Sequence, residues 1–245
     1  MAVLGLGHIE AICRKSVPLA PRHWAWATML GEARRLSNEG RRSPEADRAE
    51  EGNRNVDLLG ALAELLLLRQ AMRVGDDAAV AYMRRHLFNE AGGAGVEGPD
   101  LWAREGAERV VGIDAKSHRA APRYENFAIN AAKHDALKGS CPRYFCVLAR
   151  RHGPRLVTAD LVPYADVASW ERRRLGRSLS CNLPIQAFQK RYLAPRHRIE
   201  DLRVEEPYDP AAIDEAVEDA ETRDMFREMM PGWPDQQPAR RGADR

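Results

Sequence analysis

Hydrophobic and polar positions repeat along this chain with two periods, which predict helices and strands in turn. Short apolar pairs, Leu101-Trp102 and Val110-Val111, flank a polar segment with one glycine and predict a β-hairpin. Further strands are predicted over residues 144–148 and 156–162. Helices are predicted over residues 22–36, 57–68, 77–88, 123–138 and 211–229. The pattern therefore predicts an α/β fold.

Glycine, proline and capping residues predict where several helices begin and end. Ser43-Pro44 has the order of an N-cap followed by a first helical residue and predicts the start of a polar helix. Gly52-Asn53 is expected to interrupt that helix before the apolar one. Asp76-Asp77 caps the helix that runs through Phe88, and Gly92-Gly93 is expected to end it.

The charge distribution divides the chain further. Residues 205–230 hold ten acidic residues against Arg223 and Arg227, a local net charge of −8. Since the whole chain carries +2, the rest carries +10. The expected parts are a helical N-terminal extension (1–54), a core (55–170), a basic segment (171–204), and an acidic helix followed by a tail of disorder-prone composition (205–245).

Candidate chemistry lies on the predicted hairpin. Pro99-Asp100 precedes its first arm, and Asp114-Ala115-Lys116 ends the apolar run of its second arm. Side chains alternate faces along a strand, so Asp114 and Lys116 share one surface while Ala115 faces a core. The hairpin brings Asp100 back beside Asp114, and two close carboxylates favour a hard cation such as Mg²⁺ or Mn²⁺. A turn at Pro-Asp and a chance acid-x-Lys triplet are the plain alternative.

These motifs resemble the PD-(D/E)xK nuclease superfamily, with Asp100 and Asp114 as the two acids and Lys116 as the lysine. The resemblance spans residues 55–170 and implies a restriction-endonuclease-like core, which is a mixed central sheet flanked by helices. It further implies metal ligation by Asp100, Asp114 and the carbonyl of Ala115, and catalysis by Lys116. It also implies an upstream helical glutamate. Glu64 stands in an almost wholly apolar helix at that place, where a structural buried acid is the alternative.

Four residues after the triplet are candidates for supporting the site. Asn130 and Lys133 recur at helical spacing in the helix predicted over 123–138 and are expected to face the scissile phosphate. Ser117 and His118 follow Lys116 directly and are candidates for contacting the DNA backbone or positioning water. A histidine in such a place is often incidental.

The basic segment is a candidate nucleic-acid surface, because arginines bind phosphates and its interleaved aromatic residues stack on unpaired bases. Its candidate contact residues are Arg172, Arg173, Arg174, Arg177, Lys190 and Arg191. The alternative is a solvated helix face plus a loop. The acidic helix is expected either to shield this region, to dock a protein partner or second copy of the chain, or simply to be solvated.

Composition excludes several other functions. No apolar run is long enough to span a bilayer, no basic leader precedes Ile12, and no nucleotide-binding glycine loop occurs. The cysteines at 13, 141, 146 and 181 form no CxxC pair, which favours reduced thiols in a cytoplasm; a zinc-stabilised scaffold that uses Cys141 and Cys146 is a minor alternative. The arginine- and alanine-rich composition indicates a G- and C-rich, bacterial genome.

The expected function is therefore Mg²⁺- or Mn²⁺-dependent hydrolysis of DNA phosphodiesters, in restriction, repair, recombination or defence against mobile elements. Nothing in the sequence reads a 2′-hydroxyl, so RNA stays open as the substrate. The leading alternative is a protein of the same fold that binds nucleic acid or a partner without cleaving.

Overall fold

The structure of the protein, a computed structural model, describes residues 4–37, 50–88, 98–121, 125–140, 142–175 and 178–229. The strands are β1 Leu4–Gly5, β2 Ser16–Pro18, β3 Leu101–Glu105, β4 Arg109–Arg119, β5 Asn126–Asn130, β6 Arg143–Ala149, β7 Arg155–Thr158, β8 Val162–Pro163, β9 Glu171–Leu175 and β10 Ser178–Pro184. The helices are α1 Leu6–Glu10, α2 Pro21–Ser37, α3 Glu50–Val74, α4 Asp77–Phe88, α5 Ala131–Ala136, α6 Tyr164–Ala168, α7 Ile185–Tyr192, α8 Ile199–Val204, α9 Pro210–Glu218 and α10 Ala220–Met229, and a 3-10 helix spans Leu137–Ser140.

The mixed α/β architecture is confirmed: a curled mixed sheet is flanked by helices. Its strands lie in the order β1-β3-β4-β6-β7-β2, and β8 also pairs with β6. The predicted hairpin is β3 and β4, and β4 pairs with β6 in parallel. The segment expected to be a helical N-terminal extension also supplies both edge strands, β1 and β2, of this sheet.

Two apolar clusters cover the two faces of the sheet, and β6 contributes to both because its side chains alternate. The first cluster joins α1–α4, α9 and α10 to one face. Its large buried members include Trp24, Leu30, Leu62, Leu67, Phe145 and Phe226. The second cluster joins the other face to α5–α8 and a second sheet. Its aromatic members are Phe127, Tyr144, Trp170, Phe188 and Tyr192.

The second sheet replaces part of a predicted helix. The prediction of a helix over 123–138 is wrong for Asn126–Asn130. These residues form β5 of an antiparallel sheet ordered β5-β10-β9. In β5, Phe127 and Ile129 are buried while their neighbours are more exposed, a period of two. The pairing partner β10 lies about 50 residues later, beyond the reach of a local pattern. The helix begins only at α5.

Other boundaries follow from local chemistry. The predicted helices 22–36 and 77–88 are confirmed, and Asp76 Oδ1 accepts a hydrogen bond from the Ala79 amide at 2.9 Å. The interruption at Gly52-Asn53 is wrong, because α3 runs through it. Such residues cost a helix about 1 kcal/mol each, which the burial of the apolar face of α3 outweighs.

The strand predicted over 144–148 is confirmed as part of β6, whereas the one over 156–162 is divided between β7 and β8. The Asp160 amide leaves the sheet and donates to the Tyr192 carbonyl at 2.8 Å, which separates them.

The acidic C-terminal segment forms two helices instead of the one predicted over 211–229. Asp219 is extended between them, and its Oδ2 accepts a hydrogen bond from the Thr222 amide at 2.7 Å, the geometry of an N-cap. Ile213 of α9 and Phe226 of α10 are buried in the first cluster, so the apolar face of this segment packs on its own chain.

Several predicted features lie outside the described residues: the helix start at Ser43-Pro44, the helix end at Gly92-Gly93, Cys141, Arg177 and the tail beyond residue 229. Among the described helices, none combines the length and apolar character that crossing a membrane requires.

Gly112 allows Pro99 to lie directly against β4. A Cβ at position 112 would stand 2.6 Å from Cγ and 2.8 Å from Cβ of Pro99, closer than carbon atoms can approach. Tyr82 Oη also donates to the Pro99 carbonyl at 3.1 Å, so α4 helps to hold the proline in place. The position of Asp100, the next residue, therefore depends on a glycine in the facing strand.

Gly112→Ala is expected to lower the free energy of unfolding by about 1–3 kcal/mol, because the added methyl group must displace Pro99. Urea denaturation monitored by circular dichroism measures this. Gly60→Ala is the matched control: an added Cβ there meets nothing within 4 Å, and alanine in a helix is expected to stabilise by about 0.5–1 kcal/mol. Equal effects of the two substitutions would contradict the account of Gly112.

Candidate active site

Strand β4 presents the acid and the lysine on one face, as its alternation predicts. Ile113 and Ala115 belong to the first cluster, whereas Asp114 and Lys116 face the opposite side of the sheet. Asp114 stands beside Tyr144 in the parallel register of β4 and β6, and its side chain is fully buried (0 % exposed). A carboxylate so placed needs compensating charges.

Two lysines supply those charges. Lys116 Nζ contacts Asp114 Oδ2, and Lys133 Nζ lies 3.2 Å from Asp114 Oδ1. Burial alone would raise the pKa of the Asp114 carboxyl, but the two ammonium groups outweigh it and hold that pKa below its usual range. Partial burial would lower the pKa of Lys133, but Asp114, Asp100 and Glu64 outweigh it and raise that pKa.

Asp100 is anchored across the hairpin beside this ion pair. The β3–β4 register, extended by one residue, sets it opposite Asp114, and its Oδ2 accepts a hydrogen bond from the Ala115 amide at 2.7 Å. Burial raises the pKa of Asp100 to about 7, and the charges of Glu64 and Asp114 add to the effect. The two aspartates thus differ in protonation near neutral pH, a pattern frequent at functional sites.

Glu64 reaches the same cluster from α3. It is half-buried, and its charge acts on both Asp100 and Lys133. The structure therefore brings together three acids and two lysines, which come from α3, the start of β3, β4 and α5. These groups are Glu64, Asp100, Asp114, Lys116 and Lys133.

The donor chemistry of this cluster fits a hard divalent cation, because carboxylate and carbonyl oxygens are what Mg²⁺ and Mn²⁺ prefer. In the structure, however, lysine ammonium groups occupy the contacts of Asp114 that a metal ion would need. In the described part of the chain, no three His, Cys, Asp or Glu side chains are grouped to hold a metal ion, and the Asp114 oxygens contact ammonium groups instead. Cys13, Cys146 and Cys181 are buried free thiols, so nothing described favours the zinc scaffold.

The four supporting candidates have different surroundings. Asn130 caps α5: its Oδ1 accepts a hydrogen bond from the Lys133 amide at 3.0 Å, so it orients the helix that delivers Lys133. Ser117 lies on the face of β4 opposite Lys116 and is not brought into the cluster. His118 packs beside Phe127, with ring centroids 5.3 Å apart, and burial with the charge of Arg203 lowers its pKa to about 4.

A buried pair that no sequence pattern predicts, Tyr144 and His134, neighbours the two lysines. The Tyr144 ring centroid lies 5.9 Å from Lys116 Nζ, and Tyr144 Oη is hydrogen-bonded to His134 Nδ1 at 2.6 Å. His134 directly follows Lys133 in α5 and stacks on Tyr164, with centroids 4.0 Å apart. Only the parallel β4–β6 register could have identified Tyr144, and no local motif specifies that register.

The basic segment separates into paired and free cations. Arg172, Arg173 and Arg174 lie on strand β9, so the helix-face interpretation is wrong for them. Arg172 makes a two-point ion pair with Asp135 at 2.9 and 2.5 Å. The other described candidate cations are exposed. Arg173 pairs with Glu171 at 2.7 Å, and Arg174 has no ion pair among the described residues. Lys190 and Arg191 lie in the last turn of α7.

Comparison of the chain with models of protein families, with curated proteins and with solved structures found no match. The geometry described above is therefore the basis on which a function can be argued.

The protonation of Asp100 predicts a pH-dependent stability. Because its folded pKa of about 7 lies above its ordinary value of 3.8, the folded state binds the proton more tightly, and the free energy of unfolding should fall between about pH 4 and pH 7. The slope is at most about 1.4 kcal/mol per pH unit. Asp100→Asn keeps an oxygen for the Ala115 amide and should remove this slope.

Denaturation with urea at several pH values, in the presence of a chelator, tests this. Asp201→Asn, on the exposed face of α8, is the control and should leave the slope unchanged. A slope that survives in Asp100→Asn would assign the proton to another group.

Proposed function

We propose that this protein is a metal-dependent nuclease that hydrolyses DNA phosphodiester bonds and that its first sheet with α3 and α5 forms a restriction-endonuclease-like core. The observation that carries the proposal is the buried Asp114 carboxylate, held between Lys116 and Lys133 beside Asp100 and Glu64. A purely structural ion pair would need one cation. Two cations and two further acids in one place favour chemistry on a charged, oxygen-rich substrate.

Each residue then has a defined task. Asp100, Asp114, Glu64 and the Ala115 carbonyl would hold the Mg²⁺ or Mn²⁺ ion. That ion, when bound, supplies an activated water and neutralises charge on the phosphate. Lys116 donates hydrogen bonds to the attacking water or to the phosphate oxygens, where negative charge develops. Lys133 keeps Asp114 ionised, and Asn130 fixes the helix that carries it.

DNA binding is assigned to the exposed cations outside this cluster. Arg174, Lys190 and Arg191 are exposed, whereas Arg172 and Arg173 are already neutralised by acids. A cation without an acid partner releases condensed counterions from the DNA when it contacts a phosphate. A paired cation gains less binding free energy because its acid partner must first be displaced. The acidic C-terminal helices expose a negatively charged outer face that would repel DNA, so DNA binding is proposed on the opposite, basic side. The acidic face is instead proposed to bind a protein partner or a second copy of the chain.

A non-catalytic nucleic-acid-binding protein is the second candidate. One observation favours it: Asp114 is already paired with two lysines, and among the described residues no three acids are grouped to hold a metal ion. Such a protein would keep the basic surface and would not depend on Lys116.

Cleavage assays separate the two candidates. The wild-type protein is expected to cut DNA with Mg²⁺ and to be inactive with EDTA, and Lys116→Met should lower the rate by about 10²-fold or more. Lys15→Met, an exposed lysine outside the cluster, is the matched control and should keep the wild-type rate. Substrates are plasmid, linear and branched DNA and single-stranded RNA, so the products also report the preferred substrate.

If the wild type cuts none of these substrates, or Lys116→Met cuts as fast, the nuclease proposal is wrong. DNA binding without cleavage would then favour the second candidate.

The DNA surface is tested by salt titration of binding. With EDTA present, Arg174→Ser should weaken binding of a labelled duplex and reduce the slope of log affinity against log salt by about 1, since one phosphate contact is lost. Arg173→Ser, one residue away and paired with Glu171, is the matched control and should change the slope less. Fluorescence anisotropy at several salt concentrations measures the slopes of both variants. Equal slopes would show that Arg174 is not part of the proposed DNA-binding surface.

A further inference from the structure

The Lys116 ammonium group contacts two of the oxygens assigned above to the metal. Its Nζ touches Asp114 Oδ2 and lies 3.2 Å from the Ala115 carbonyl oxygen. A lysine that served only as a counter-ion for Asp114 would need only the carboxylate. The second contact, with a backbone carbonyl, places the positive charge where a cation would meet a carboxylate and a carbonyl at once.

Lys133 gives an internal comparison. It neutralises the same carboxylate through Oδ1 at 3.2 Å but has no contact with the Ala115 carbonyl, and it is more exposed than Lys116 (49 % against 15 %). The two lysines thus carry the same charge to the same acid in two different positions. Only Lys116 occupies the position between the two proposed ligands.

We propose that Lys116 acts as a built-in cation that closes the metal position in the metal-free protein, and that a divalent ion binds by exchange with its ammonium group. This inference rests on the proposed function and deepens it. Two cations cannot share the same pair of oxygens without strong repulsion, so the ion and the ammonium group exclude one another there. Once displaced, the ammonium group stays on the same face of β4 and is free to meet the substrate.

The exchange has a measurable consequence for metal affinity. Part of the binding free energy of the ion is used to displace Lys116, so removal of the ammonium group should tighten metal binding even though it slows cleavage. The experiment is isothermal titration calorimetry of the full chain with MnCl₂ and no DNA, on the wild type, Lys116→Met, Lys133→Met and Lys15→Met. Lys116→Met is expected to bind Mn²⁺ about tenfold more tightly than the wild type, equivalent to about 1.4 kcal/mol.

Lys133→Met separates position from charge. It removes one positive charge from the same acid but leaves the carbonyl contact of Lys116 intact, so its gain in affinity should be clearly smaller. Lys15→Met should equal the wild type. Thermal unfolding of each variant checks folding, and Lys116→Gln, which lacks the charge but keeps a donor, replaces Lys116→Met if the latter does not fold.

Three results would overturn the inference. If Lys116→Met and Lys116→Gln bind Mn²⁺ no more tightly than the wild type, while the wild type binds Mn²⁺ and cleaves DNA, the exchange is wrong and the nuclease function stands. If Lys133→Met gains as much as Lys116→Met, charge alone explains the effect. If neither the wild type nor any variant binds Mn²⁺, the metal site of the proposed function fails together with the exchange.

Discussion

The arrangement of the protein depends on one buried charge, the Asp114 carboxylate. It is completely enclosed, and removal of one partner from such a buried pair typically costs about 3–5 kcal/mol. Lys116 comes from the same strand two residues later, but Lys133 must be delivered from α5. α5 follows β5 directly, and β5 is held by β10 of the second sheet. The second sheet is thus the support through which the second lysine reaches the acid.

The site is built from elements that pack on both faces of the main sheet. Glu64 and the hairpin strands belong to elements of the first cluster, whereas Lys133 and Tyr144 come from the side of the second. Strand β6 contributes alternate residues to both clusters, so a shift in its register would change the packing on both faces and move Tyr144 away from Asp114. Because the acids and the lysines come from elements packed on both faces of the sheet, they keep their spacing only while both clusters are packed.

Local patterns were sufficient for part of this site and insufficient for the rest. The shared face of Asp114 and Lys116 follows from alternation, and the hairpin and the strand around Tyr144 follow from short apolar segments; both kinds of pattern act within a few residues. The sequence pattern predicts a helix at β5 because its pairing partner lies about 50 residues away. It does not single out Tyr144 because a parallel register has no local signature. The edge strands β1 and β2 are two and three residues long, too short to give a pattern.

The net charge of the buried cluster indicates that the cluster and the exposed cations have different roles. Three acids face two ammonium groups, and Asp100, with a pKa of about 7, is partly protonated at neutral pH. The metal-free cluster therefore has a net charge between 0 and −1 and exerts no attraction on a phosphate. Under the proposed function, the first encounter with DNA would then depend on exposed cations such as Arg174 and Lys190. Under the same proposal, Lys116, which balances part of the negative charge of the cluster, is also the group that would engage the polyanionic substrate.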